Sequence, residues 1–365
     1  MPINFDIINL KKIQDDNPIK RIIKNSGIIF LGDSTASALN IISFTIMAKQ
    51  LGPELLGIFV LAQTYAHIFN DIFNIQTWET MVKFGSMKSK DEEIAEVIKT
   101  NIILDFIGAV VGFVLAVLLV RFFVNILGWD KSLIHIASLY SLYIIFNITT
   151  FTIGIPRLYD KFLSIAKIHI TMAVLKFMGI LYAMYYSKSL IFYVSVYLFI
   201  DIFQNLCFIV FCLIVLRSQI SKNWWKTKLK LCRDQIRFIW WTNLRTIIRI
   251  PVRHFDMIVI SSIMPLKMVG LYKVYKEIAS LITRIGDPVD QSIFPEFTKL
   301  LGNKDIKKTA SVTKKTIVML SGVSTIIVLL LFMVSKFIVE KFFGVEYLSQ
   351  ISALYVLLLI EGVIF

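Results

Sequence analysis

The stretch AKQLGPELLGIF, residues 48–59, separates two long apolar runs. A weaker echo, SSIMPLKMVGLY, lies at 261–272. In both, an apolar run stops at a proline, and a glycine followed by two large apolar residues opens the next run. A shift of 213 residues puts Gly57 on Gly270, Phe59 on Tyr272, Ile68 on Leu281, Ile72 on Ile285, Phe84 on Phe297 and Glu92 on Asp305. Only some of these pairs are identities; the order of apolar and polar segments around them matches better than the residues.

The runs on either side set the class. Of 365 residues 56% are hydrophobic, 29 are Phe, and the mean hydropathy is +0.72. Soluble domains sit at or below half apolar, so the chain reads as a membrane protein of many spans. Ten stretches reach the roughly 20 apolar residues a helix needs to cross a bilayer: 27–48, 55–75, 101–124, 133–154, 165–186, 190–216, 238–263, 269–290, 316–338 and 347–365. Nothing alternates with the two-residue period of a barrel strand. A bilayer leaves lipid-facing backbone no partner outside its own segment, so the spans are helices.

The charge distribution supports the count. A net charge of +14 in a soluble chain would point to nucleic acid; here Lys and Arg collect on alternate loops, as cytoplasmic loops do. With the N-terminus inside, the inner segments hold such groups as Lys20, Arg21 and Lys24, Lys88 and Lys90, the connector from Arg217 to Arg237, and Lys299 to Lys315. The outer ones hold Lys49, Arg121, Lys131, Lys188, Lys267, Lys336 and Lys341. The N-terminus lacks the compact signal-peptide pattern. Cys207, Cys212 and Cys232 and the scattered histidines form no metal-ligand spacing. SKNWWKTKLKLCRD (221–234) suits an interfacial helix or a solvated connector equally.

The expectation is an all-α polytopic membrane protein with two pseudo-symmetric six-helix lobes around a central cavity, the second lobe incomplete with about ten spans present. The lobes divide as 1–216 and 238–365, joined by the basic cytoplasmic connector 217–237. The copies are offset by an even number of spans, which makes them parallel repeats. The second lobe stops within an apolar run, LLLIEGVIF, which reads as a chain lacking its last two spans.

Ionisable side chains inside spans are costly and mark function. Arg245, Arg249 and Arg253 are spaced i, i+4, i+8, on one face of span 7. Such a stripe suits a phosphate or pyrophosphate, which guanidinium forks bind with charge-assisted hydrogen bonds. The structural alternative has Arg245 snorkelling and Arg253 paired with Asp256, three residues on. Lys273 and Lys276 lie on polar span 8, and Asp33 and Asp71 on spans 1 and 2. Asp105, Lys176 and Asp201 stand as isolated charges in cleaner spans. The most polar spans are 1, 2, 7 and 8, as if a cationic wall faced a more acidic one. No P-loop, dinucleotide-binding or triad motif is present.

LGPELLGIF (51–59), QTWETMVKFG (76–85), RHFDMIVIS (253–261) and VGLYKVYKEIASL followed by PVDQSIFPEFTKL (269–300) resemble polysaccharide biosynthesis proteins. They resemble above all the Wzx-type O-antigen or capsule repeat-unit flippases of the multidrug/oligosaccharidyl-lipid/polysaccharide exporter superfamily. The resemblance implies two six-span lobes in a V, alternating access, and an undecaprenyl-pyrophosphate-linked oligosaccharide turned from the inner to the outer leaflet of the bacterial inner membrane. It implies a non-enzyme without cofactor. Arg245, Arg249, Arg253, Lys273 and Lys276 would hold substrate, and Asp33, Asp71 or Asp256 a coupling H⁺ or Na⁺. Partners would be membrane lipids, a polysaccharide polymerase and a chain-length regulator for lipopolysaccharide or capsule, and no nucleic acid. The rivals are a membrane polymerase or glycosyltransferase, a drug exporter of the same superfamily, and a lipid II flippase.

Overall fold

The computed structural model describes residues 18–75, 77–88, 90–186, 189–220, 224–282 and 306–364. Helices are α1 (Pro18–Phe73), α2 (Thr77–Ser86), α3 (Asp91–Ile126), α4 (Ser132–Tyr140), α5 (Leu142–Phe146), α6 (Ile155–Leu158), α7 (Phe162–Tyr186), α8 (Leu190–Gln219), α9 (Arg233–Ile263), α10 (266–282), α11 (Ile306–Ile338) and α12 (Ile351–Ile364). Among the described residues five helices are long and apolar enough to cross a membrane, or six if the bent pair from α4 to α6 is one span. α1 alone holds two of the expected spans. α9 falls short because its charged stripe lowers its hydropathy, and α10 is described only to 282. Helix lies at each of the ten expected positions. The motif at 288–300, the segment up to 305 and the lead before 18 lie outside the described residues.

Outward faces carry the side chains lipid accepts: Phe106, Leu118 and Phe122 on α3, Phe199 and Ile214 on α8, Leu329 and Met333 on α11.

The quoted turn breaks α1 into two limbs. Gly52 has φ 70°, a left-handed geometry that side chains resist. Pro53, its φ preset for a helix start, opens the second limb. That limb then crosses α10 at backbone contact. A Cβ on Gly57 would strike the carbonyl oxygen of Leu266, and one on Gly270 would strike the carbonyl oxygen of Pro53. The repeat shift maps Gly57 to Gly270 and Pro53 to Leu266, so each contact is the image of the other. Small residues let helices in a bilayer approach this closely, and the Cα–H···O contacts that follow contribute about 0.5–1 kcal/mol each. Around the crossing Phe59, Leu61, Val269, Leu271, Val274 and Tyr275 are buried in one cluster.

The same end repeats the exchange with side chains. Gly128 and Gly344, both at positive φ (66° and 113°), turn the chain after α3 and after α11. Trp129, next to the first, donates from Nε1 to Ser261 Oγ of α9 at 3.0 Å. Tyr347, just past the second, donates to the Ala48 carbonyl of α1 at 2.8 Å. Ala48 and Ser261 are again related by 213. Hydrogen bonds from the Ser132 hydroxyl and amide fix Asp130 beside Trp129 and hold its carboxyl below the usual range.

Within the first half, through α8, the supposedly isolated charges have partners. Lys176 Nζ on α7 lies 2.6 Å from Asp201 Oδ1 on α8, while Tyr140 donates to Asp201 Oδ2 at 2.9 Å and Gln63 to the Tyr140 hydroxyl at 2.8 Å. One ion pair thus ties α1, α4, α7 and α8. Asp105, 2% exposed on α3, serves the break in the fourth span. The α4–α5 segment and the segment from Thr150 to Leu158 meet at 51°, which frees backbone N–H groups that lipid cannot satisfy. Asp105 Oδ2 accepts from the Thr150 amide at 2.8 Å and from the Thr150 and Thr149 hydroxyls at 3.0 and 3.1 Å.

Gly57→Val and Gly270→Val are each expected to force α1 and α10 apart, seen as faster thiol labelling of a cysteine at position 266 with the native cysteines replaced. Asp105→Ala, which strands buried donors, is expected to cost about 2–4 kcal/mol and to lower the melting temperature in detergent more than Asp105→Asn does. Equal shifts for Ala and Asn would contradict the capping role.

Candidate functional site

α9 owes its place to its own sequence: an apolar helix interrupted every fourth residue by arginine must turn that face away from lipid. It runs antiparallel to the end of α1 and to α2. At one level Asp71 Oδ2 lies 3.4 Å from Arg253 Nη1 and 3.4 Å from His254 Nε2. Two turns away Arg245 pairs with Glu79. Further on, Lys83 Nζ sits 4.0 Å from the centre of the Phe238 ring, which also meets Phe84 edge-on. The first half supplies the acids and the second the bases.

The pairs are lopsided in exposure. The Arg245 and Arg253 side chains are 50% and 56% exposed, against 20% and 19% for Glu79 and Asp71. Each guanidinium has five donors in a planar fork, so an edge bound to carboxylate leaves another edge open. Arg249, between them in the stripe, is exposed, and no carboxylate among the described residues pairs with it.

On α10, Lys276 pairs with Asp256, and Tyr272 donates to the same Asp256 oxygen at 2.7 Å. The Met257 amide reaches the other oxygen at 2.8 Å. The expected alternative, Arg253 paired with Asp256, does not form. An i, i+3 pair on one helix competes here with a carboxylate on the facing helix, and Asp71 takes Arg253 while Asp256 turns to α10. Lys273 lies 3.2 Å from Glu277 Oε2 and 5.8 Å from the Phe44 ring centre. The two lysines are therefore neutralised locally, unlike Arg249.

The three aspartates sit apart. Asp33 on α1 is 2.9 Å from His169 Nδ1 on α7, Asp71 faces α9, and Asp256 bridges α9 and α10. Among the described residues no group of three or more His, Cys, Asp or Glu is spaced to hold a metal ion. Sequence reasoning did not single out Glu79, His254, His169 or Arg157, whose guanidinium lies 4.8 Å from the centre of the Trp78 ring. Each is one charge in an amphipathic segment, and partners up to 183 positions away leave no trace in local spacing.

Comparison with known proteins agrees with this architecture. Inner membrane protein YghQ of Escherichia coli (strain K12) is 22% identical over 350 residues, which cover 93% of this chain and 98% of that protein. Two solved structures share the fold. One, an inward-facing conformation of a multidrug resistance MATE family transporter of the MOP superfamily, superposes with a TM-score of 0.65 at 15% identity over 89% of this chain and 78% of that one. The other, a MATE protein in complex with MaD3S, gives 0.58 at 14% identity over 95% and 80%. Residues 22–301 match the polysaccharide biosynthesis protein family. The chain, an all-α polytopic membrane protein, belongs to the polysaccharide biosynthesis protein family.

Proposed function

We propose that this membrane protein is a flippase for undecaprenyl-pyrophosphate-linked oligosaccharide repeat units, serving O-antigen or capsule synthesis in the bacterial inner membrane. The observation that carries the reading is Arg249, an exposed guanidinium between two arginines whose carboxylate partners leave them half open. A diphosphate offers forked acceptors to such a row. A cationic drug would be repelled by it, which disfavours drug export. The glycan would occupy the polar space between the lobes 1–216 and 238–365, and the polyprenyl tail would stay in lipid.

The mechanism follows from where the halves touch. Oriented with the N-terminus in the cytoplasm, the Gly57–Gly270 crossing, Trp129–Ser261 and Tyr347–Ala48 lie at the outer end and close it. Loading from the inner leaflet displaces the carboxylates Asp71 and Glu79 from Arg253 and Arg245. The lobes then rock, the crossing parts, and the substrate is released outward; binding biases one of two populated states. Protonation or Na⁺ binding at Asp71 competes with Arg253 for the same carboxylate and would reset the cycle. Asp33, paired with His169 of its own half, and Asp256, paired with Lys276 of its own half, do not bridge the halves as Asp71 does and are weaker coupling sites. Lys273 and Lys276 are secondary contacts for the glycan-phosphate. A polymerase and a chain-length regulator would take up the exported unit, and the protein itself performs no bond chemistry.

Two experiments test this. Cells lacking the gene are complemented with Arg249→Gln, and a membrane-impermeant glycan oxidant reports the face on which lipid-linked repeat units accumulate. Inner-face accumulation, with export down at least about tenfold at unchanged protein level, is expected. Outer-face accumulation in the gene-deleted cells would replace the flippase by a polymerase. Second, Trp129→Cys with Ser261→Cys, in a background with Cys207, Cys212 and Cys232 replaced, is bridged by a short bifunctional thiol reagent. Bridging is expected to stop export and cleavage of the bridge to restore it; full export while bridged would rule out opening at that end.

A further inference from the structure

On the side of the first half built from α3, α8 and the connector lies a cavity of about 380 Å³ lined by Ile102, Phe151, Leu213, Arg217, Trp224 and Trp225. None of these belongs to the α9 stripe. Between α8 and α9 the described connector, 224–232, is one short 3₁₀ turn (Trp224–Lys226) followed by irregular chain. It is held down all the same. Lys99 Nζ of α3 donates to the Thr227 carbonyl at 2.7 Å, and Thr227 Oγ1 returns to the Trp224 carbonyl at 2.9 Å. Trp224 is 6% exposed and wedged beneath the turn, whereas Trp225 is 48% exposed and stands edge-on to it, with Lys99 Nζ 5.5 Å from its ring centre.

The chemistry of the lining is graded. Ile102 and Phe151, each 6% exposed, and the half-buried Leu213 make a narrow apolar floor at the start of the hydrophobic part of α3 and near the end of α8. Arg217, in the last turn of α8, is exposed at the rim. No acidic side chain lines the cavity, and no carboxylate among the described residues pairs with Arg217. Lys226, Lys228 and Lys230 are exposed on the adjoining stretch of the connector. Indoles favour the level where acyl chains meet headgroups, and cationic pockets between helices on the basic side of a membrane protein take lipid phosphates. A merely solvated pocket would not need the apolar floor, and a free anion would not use it.

We infer that this cavity is a site for one anionic glycerophospholipid, its phosphate on Arg217 and the first methylenes of a chain against Ile102, Phe151 and Leu213. The lipid would brace the connector that joins the two halves to α3 and α8. The site stands whether or not the protein is a flippase.

The full chain, purified in detergent, is mixed with equal amounts of phosphatidylglycerol and phosphatidylcholine, and retained lipid is counted by native mass spectrometry. Phosphatidylglycerol is expected to be retained in preference. Arg217→Gln is expected to lower its retention about tenfold while Arg217→Lys keeps most of it, with melting temperatures matched. Trp225→Ala is expected to weaken retention of both lipids. Equal retention of the two lipids by the wild type, or a preference untouched by Arg217→Gln, overturns the site. Displacement of phosphatidylglycerol by millimolar inorganic phosphate would also overturn it, since the phosphate alone would then account for binding.

Discussion

Two glycines decide how this molecule is put together. Where the second limb of α1 crosses α10, Gly57 lies on the Leu266 carbonyl and Gly270 on the Pro53 carbonyl, so the halves meet backbone to backbone. In a bilayer there is no hydrophobic drive to press apolar helices together. Close approach and the contacts that depend on it must supply the association. The crossing does so, and it sets the register for Trp129 on Ser261 and Tyr347 on Ala48. The depth of the arginine stripe along the interface follows from the same register.

The second organising constraint is the cost of charge in a low-dielectric slab. Five internal carboxylates are answered in two ways: Asp201 by Lys176, Asp105 by the Thr149–Thr150 break, Asp256 by Lys276 and Tyr272, Asp71 and Glu79 by arginines of the other half. The first three are ties inside one half. The last two cross between halves, and the strength of such pairs depends on what else reaches the arginines. That distinguishes charges that hold the scaffold from charges available for work.

Much of the scaffold was legible in the sequence because hydropathy and loop charge register directly in residue order. The Gly52–Pro53 turn, its echo, and helix at each expected span follow from composition and local geometry alone. The pairing of charges was not legible. Lys176 and Asp201 look like strays because they lie 25 positions apart on two different helices. Asp256 and Arg253, three apart, invite a pair that the facing helices dissolve. The break capped by Asp105 is hidden in NITTF (147–151), which reads as ordinary apolar span. Hydropathy also cannot separate Phe59, fully buried, from Phe122, 55% exposed to the surroundings. It reports a preference to leave water and says nothing of which apolar neighbour is met.

The self-imaging crossing carries a consequence for descent. A contact that maps onto itself is what two identical subunits make across a two-fold axis, so one half-length ancestor pairing with its copy would already possess the joint. In such a pair every wall residue appears twice. The images of Arg245, Arg249 and Arg253 under the repeat shift are Gly32, Ala36 and Asn40, uncharged at the same four-residue spacing, the first two buried, Gly32 against Ala166, and Asn40 exposed. A homodimer bearing the stripe would face six guanidiniums toward one space. Fusion of the copies into one chain lets a single wall keep the charge while its twin carries none, giving the space between them a polarity that no symmetric ancestor had.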